Sequence, residues 1–410
     1  MVKRLWIVTV LITLVVLSAC SGGGNKTANE SSNNASRGIS DQTINIGLLV
    51  DLTGPYQAAG TQMEVGVKTY FDYINKNGGI NGRQLKLSTE DNGANPATTA
   101  TAINKLVFND EIFALAGVQG SAAFAGAYDF IDENKVPTFS LGFSSVNHIP
   151  HRPMIFSSAV PYSLQGSRVI NYIAKELDIS KPQIGVLYQD DDFGIDFLNG
   201  AKEEAKALGV EIIAEEAFPR GAEDISSQVT NLQRKGVEQV FVAGIYTTAG
   251  QFMKEANKIG YDPLVIGTGP SRGDPFFDIA GNTGEGYLLV DYFAPLDDPA
   301  LDEINGIVSE FAPGETLNNN MMFGLVNAIT LVEILKAVGD DITTEKFITQ
   351  AERMSNIDMK GLMSNLSFSP ERHYGLTETR VFESNIPDKS WTQVSDPKAP
   401  ETTDINQIGK

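Results

Sequence analysis

Cysteine is almost missing: Cys20 is the single one in 410 residues, so no intramolecular disulfide can form. Basic residues are also scarce, with 31 Lys and Arg against 51 Asp and Glu and a formal net charge of −20. That balance excludes a nucleic-acid partner, whose phosphates require basic surface. It suits a soluble protein kept dispersed by charge. Histidine occurs three times. His148 and His151 have a metal-like spacing, but a proline stands between them and no cysteine is near, so no metal is expected. Asp190-Asp191-Asp192 lacks the glycine pattern of a calcium loop, and acids before a helix start are favoured there by the helix field alone. Neither a dinucleotide glycine fingerprint nor a phosphate-cradling loop follows any predicted strand, so no cofactor is expected.

With 42% hydrophobic and 20% charged residues, the chain has the composition of a globular protein long enough for two or three domains. Ile44 to Val50 reads as a strand buried on both faces of a parallel sheet. Asp51-Leu52-Thr53-Gly54-Pro55 is a loop, and Met63, Val67, Tyr70, Phe71 and Ile74 recur with helical spacing. Asn77-Gly78-Gly79-Ile80-Asn81-Gly82 stops that helix, and the strand Gln84 to Leu87 runs on into Glu90-Asp91-Asn92. Strands then alternate with helices: Ile112 to Ala116, a helix from Ser121 through Ile131, and Lys135 to Ser140. This makes an α/β lobe with a parallel sheet. A proline-rich stretch places a hinge crossing near Val160-Pro161. A second series of the same kind follows, with strands at Gln183 to Tyr188, Val210 to Ile213, Glu238 to Gly244 and Leu264 to Gly267. From Asp291 to about Pro299 the chain crosses again, into the long apolar helix Asn318 to Val338, a shorter one from Thr343 to Met354, and late strands at Leu366 to Phe368 and Thr379 to Phe382. The residues alone also allow a third small domain here.

The opening run Ile-Asn-Ile-Gly-Leu-Leu-Val-Asp-Leu-Thr-Gly-Pro, the Asn-Gly-Gly-Ile-Asn-Gly turn and the Glu-Asp-Asn after it resemble type I solute-binding proteins of ABC importers, nearest the leucine-binding branch. The resemblance runs with gaps from about Ile44 to about Phe382. It implies two Rossmann-like lobes with parallel sheets joined by several hinge crossings, divided as 41–161 plus 292–369 and 162–291 plus 370–395, with a tail at 396–410. It also implies a monomer that passes its solute to a permease.

In such sheets ligands collect beyond the carboxyl ends of the strands. The Gly117 to Ala123 loop lies there, and Ser121 with the backbone N–H groups of Ala122 and Ala123 suits a carboxylate. The same serine also reads as a simple N-cap, and the two roles are compatible. The resemblance aligns Ser121 and Ser144 with the family's carboxylate-binding hydroxyls, Gly142 with a carbonyl for a ligand ammonium, and Phe193 and Tyr246 with aromatics that cover the ligand. One departure stands out. Relatives specific for aliphatic amino acids carry an acid where this chain has Gly269, and Asp274 is the nearest substitute.

Lys3 and Arg4 precede the apolar stretch Leu5 to Leu17, which is too short to span a bilayer comfortably. Leu17-Ser18-Ala19-Cys20 resembles a lipobox, so residues 1–20 read as a lipoprotein signal and Cys20 as the lipidated residue. A conventional signal peptide is the alternative. Gly, Ser and Asn dominate 21–40, a flexible tether to a bacterial membrane on its extracytoplasmic side. Two other functions compete with import: a ligand sensor without transport, and a serine hydrolase using Ser271 in Gly269-Pro270-Ser271-Arg272-Gly273. The hydrolase has only His373 as a downstream base, and Gly273-Asp274-Pro275 interrupts any helix after Ser271.

Overall fold

The computed structural model describes residues 36–401 and 405–407. The expected signal, Cys20 and most of the tether lie outside the described residues. In chain order the elements are β1 (Thr43–Val50), α1 (Gln57–Lys76), β2 (Gln84–Asp91), α2 (Pro96–Phe108), β3 (Ala114–Val118), α3 (Ser121–Ala125), α4 (Tyr128–Asn134), β4 (Thr138–Phe139) and β5 (Ile155–Phe156). There follow α5 (Tyr162–Lys175), β6 (Ile184–Gln189), α6 (Asp192–Leu208), β7 (Ile212–Phe218), α7 (Ser226–Arg234), β8 (Gln239–Ala243), α8 (Tyr246–Lys258), β9 (Leu264–Thr268), α9 (Asp274–Ala280) and β10 (Leu288–Asp291). The chain ends with α10 (Asp302–Phe311), α11 (Asn319–Val338), α12 (Thr344–Ala351), β11 (Thr379–Asn385) and β12 (Ser390–Lys398).

Two sheets result. The first, in the order β2-β1-β3-β4-β5, is parallel throughout. Its β1 lies between β2 and β3 and is buried from Ile46 to Val50, as its unbroken apolar run requires. The second, in the order β12-β11-β10-β9-β8-β6-β7, is parallel from β7 to β10 and carries β11 and β12 antiparallel at one edge. Each lobe therefore has the α/β architecture expected, with a hairpin added to the second.

Local chemistry explains the boundaries. Asn95 caps α2 by accepting from the N–H groups of Ala97 (2.8 Å) and Thr98 (3.2 Å), with Pro96 in the first turn. Helix α1 ends at the Asn-Gly-Gly turn, where Gly79 has φ +72° and a Cβ would fall 2.0 Å from the Arg83 carbonyl oxygen. Long as it is, α11 is a core helix: it could span a bilayer by length and hydropathy, but 78% of its apolar window is buried. It crosses α1 with almost nothing between, since a Cβ on Gly66 would lie 2.3 Å from the Met321 oxygen and one on Gly324 2.0 Å from that of Met63.

Several expectations shift. The helix from Ser121 through Ile131 is two short ones, α3 and α4, because the chain turns at Gly126, held against the Pro96 carbonyl. Leu366 to Phe368 forms no strand; Leu366 makes one isolated bridge to Ile357. The tether reading stops short of residue 40, because Arg37 Nε donates to the Ile112 carbonyl (2.8 Å) and Ile39 bridges Ile44. The tail expected from 396 overlaps β12, a polar edge strand whose Pro397 needs no ladder partner. The third crossing comes later than 369, because Tyr374 still pairs with Ser157 before β11 enters the second sheet at Thr379.

Candidate functional site

Between the lobes lies a cavity with about 800 Å³ of empty space, its open mouth included. Most of it is built from loops that leave the carboxyl ends of strands. Asp51, fully buried after β1, accepts from the backbone N–H groups of Thr53 (3.2 Å) and Tyr56 (2.8 Å), and so holds the loop that brings Tyr56 to the cavity wall. After β3, Gln119 Oε1 accepts from the Asp51 N–H (2.8 Å) and the Gln119 carbonyl from Asn92 Nδ2 (2.8 Å), which locks the turn preceding Ser121. Ser121 is 4% exposed and its Oγ has no hydrogen-bond partner. Its capping role falls away, because Gly120 is the N-cap of α3.

The floor is aromatic and continuous across both lobes. Phe323 from α11 stacks on Phe143 at 5.7 Å between centroids, Phe143 meets Tyr162 at 5.8 Å, and Tyr162 meets Phe193 at 5.0 Å. Burial drives the Tyr162 phenol well above its ordinary value, so it stays protonated, beside the Ser121 hydroxyl. At the mouth Asp191 caps α6 and accepts Arg220 Nε (3.0 Å) and Nη2 (2.9 Å). At this mouth two side-chain bonds cross from the second lobe to the first: Arg220 Nη1 to the Ala94 carbonyl (3.0 Å) and Gln189 Nε2 to the Tyr56 hydroxyl (3.2 Å). Another link lies deeper. The Asp196 carboxyl on α6 accepts from the N–H (2.9 Å) and Oγ (3.1 Å) of Ser145 and from the N–H of Ser163 (3.0 Å), and desolvation raises its pKa to about 7.

Of the expected residues, Ser121, Ala122, Phe193 and Tyr246 line this cavity; Gly142, Ser144 and Asp274 do not. The Gly142 carbonyl cannot serve an ammonium, because it already accepts Ser140 Oγ (2.8 Å) and Asn147 Nδ2. Gly142 matters for space instead: a Cβ there would fall 2.7 Å from the Ser121 nitrogen. Ser144 is fully buried with an unpartnered Oγ, away from the lining. Asp274 is exposed at the start of α9. The acid nearest Gly269 is Asp291, whose Oδ1 would lie 2.8 Å from a Cβ at that glycine, and which pairs with buried Arg272 at 2.9 Å. Asp191 of the triple-aspartate run stands at a helix start, where acids are favoured, and is both the cap of α6 and an ion-pair partner of Arg220. Tyr56, Tyr162, Phe143, Phe323 and Arg220 were not foreseen. Tyr56 and Arg220 sit in loops after β1 and β7, where strand ends pointed, whereas Phe323 lies inside a helix that gives no local sign of the cleft.

The competing chemistries lose their footing. Ser271 is fully buried, donates to the Thr268 carbonyl (2.6 Å) and accepts from the Tyr287 hydroxyl (2.9 Å). His373 is engaged elsewhere, with Nε2 3.3 Å from Glu352 and its ring stacked on Phe156. Among the described residues no three His, Cys, Asp or Glu side chains are grouped to hold a metal. Burial lowers His148 to about 3, which leaves it neutral.

Two α/β lobes enclosing a preformed apolar cavity, bridged at its mouth, define a ligand-clasping protein. Residues 43–390 match the periplasmic binding protein family, and the chain belongs to it. A leucine-, isoleucine-, valine-, threonine- and alanine-binding protein of Pseudomonas aeruginosa is 24% identical over 360 residues, 85% of this chain and 94% of that one. A Leu/Ile/Val-binding protein homolog of Brucella melitensis biotype 1 is 25% identical over 299 residues, 72% and 78% of the two chains. In fold the chain is similar to a fatty acid ABC transporter substrate-binding protein from Thermomonospora curvata (TM-score 0.80, 21% identity, 89% and 95% covered). It is similar too to a branched-chain amino acid ABC transporter structure from Thermus thermophilus with bound valine (TM-score 0.79, 20% identity, 90% and 98% covered). The chain shares its family with substrate-binding proteins rather than enzymes.

Proposed function

We propose that this protein is an extracytoplasmic lipoprotein, anchored through Cys20, that captures a small organic carboxylate between its lobes and delivers it as a monomer to an ABC importer permease. The observation that carries the reading is the buried Ser121 hydroxyl, unpartnered at the wall of an apolar cavity shared by both lobes. A buried donor without a partner costs free energy that a ligand acceptor would recover. Ser121 and the Ala122 N–H hold the carboxylate on the first lobe. Phe193 and Tyr246 cover the body of the solute from the second. Closure then brings Arg220 to the Ala94 carbonyl. The amino acid-binding relatives support the small-solute class, and their role supports delivery to a transporter.

The test is a thermal-shift screen of the protein against amino acids, alkanoates, aryl carboxylates, short amides and sugars, followed by calorimetry on the hits. Stabilisation by carboxylates, lost in Ser121→Ala, is the expected result. A response confined to sugars or amides sinks the carboxylate reading. Ligand uptake into vesicles holding a cognate permease, dependent on this protein, tests delivery.

A further inference from the structure

Among the described residues lining the cavity the one carboxylate, Asp191, is engaged by the protein, which leaves the Asn320 amide as a neutral acceptor. Asp191 Oδ2 takes Arg220 twice and Gln189 Nε2 at 2.7 Å, while its Oδ1 takes the Phe193 N–H at 3.1 Å. Both oxygens of Gln119, the Ala94 carbonyl and the Gly142 carbonyl beside the Ser121 turn each accept a protein donor already described. Of the two further acids considered near the second-lobe wall, Asp291 is paired with Arg272 and Asp274 faces solvent.

Donors are left over. The Ser121 hydroxyl is buried and free, the Tyr162 phenol lies beside it, and the Tyr56 oxygen accepts from Gln189, so its own proton points elsewhere. Around these stand Met63, Leu141, Phe143, Phe193 and Phe323. An ammonium entering this space would lose its water and meet no uncompensated carboxylate, a cost that burial makes severe. A carboxylate would lose its water and meet hydroxyl donors, while an apolar body gains from the aromatic floor.

We infer that the ligand is an alkyl or aryl monocarboxylate without an α-ammonium group, recognised through Ser121 and the Tyr162 and Tyr56 hydroxyls. This rests on the solute-binding reading above and narrows its substrate class. Calorimetry at neutral pH on two matched pairs tests it: 3-phenylpropionate against L-phenylalanine, and 4-methylpentanoate against L-leucine. Within each pair only the α-ammonium differs. The alkanoate of at least one pair is expected to bind ten-fold or more tightly than its amino acid, and Ser121→Ala to weaken that binding ten-fold or more with the melting temperature held. Amino acids binding as tightly as, or tighter than, their alkanoates overturn the inference and leave the solute-binding role intact. 3-Phenylpropanamide binding more tightly than 3-phenylpropionate also overturns it, because the pocket then wants a neutral acceptor. If neither pair binds and no other carboxylate shifts the melting temperature, the carboxylate reading itself fails with it.

Discussion

Replacing Arg220 by Met tests whether the bonds across the mouth hold the lobes together. The methionine keeps an unbranched apolar stem against the cavity and removes the guanidinium. Lost with it are the 3.0 Å bond to the Ala94 carbonyl and the ion pair with Asp191, whose side chains are 30% and 14% exposed. The ion pair lies within the second lobe, is partly screened, and is worth about 1 kcal/mol or less. It does not distinguish open from closed. The bond to Ala94 does, and a charged donor on a carbonyl contributes about 1.5–3 kcal/mol. Arg220→Met should therefore lower the closed-to-open ratio by roughly 10- to 150-fold, with the affinity for any ligand of the closed form falling in proportion while that form is the minor one. Where the closed form instead predominates in the ligand-free wild type, small-angle scattering of the ligand-free variant should show a larger maximum dimension. Stopped-flow with 3-phenylpropionate should show faster release with an association rate changed less than about three-fold. Identical scattering and identical release would refute the latch.

Ser121→Ala should weaken carboxylate binding by about 1.5–3 kcal/mol in calorimetry, and unchanged affinity removes Ser121 from the site. Asp196 is protonated in the folded state up to about pH 7 but only to about pH 4 when unfolded, so the native state binds the extra proton and stability falls as pH rises between them, by up to about 4 kcal/mol. Urea unfolding across that window should show the slope in the wild type and lose it in Asp196→Asn; equal slopes count against Asp196 as the source. Asp291→Ala strands Arg272, 2% exposed, without its counter-charge and should destabilise the protein by about 3–5 kcal/mol, where a loss under about 1 kcal/mol would mean the pair is dispensable.

The alternating strands and helices were legible because central strands such as β1, β3 and β8 are unbroken apolar runs and helices such as α1 show one apolar stripe. Ser121, Ala122, Phe193 and Tyr246 were legible for a related reason: loops after parallel strands converge on one crevice, and a family likeness marked those positions. What escaped the sequence depends on tertiary partners. Whether the Gly142 carbonyl is free depends on Asn147 and Ser140. The exposure of Asp274 is set by how α9 begins. Strand β12 escaped because its alternation is written in polar residues along an edge, where pairing with β11 compensates for weak patterning. Phe323 reaches the cleft from a helix whose near-complete burial erases any preferred face.

Ser157 donates its N–H to the His373 carbonyl at 2.8 Å and accepts from the Gly375 N–H at 2.9 Å. Two of the three connections between the halves are therefore sewn into one leaf, with the stretch after Asp291 as its counterpart. Bodies mounted this way swing about a line and resist sliding past one another. Guests of different girth must then be met by repositioned side chains in the chamber, because the jaws have a single arc on which to stop.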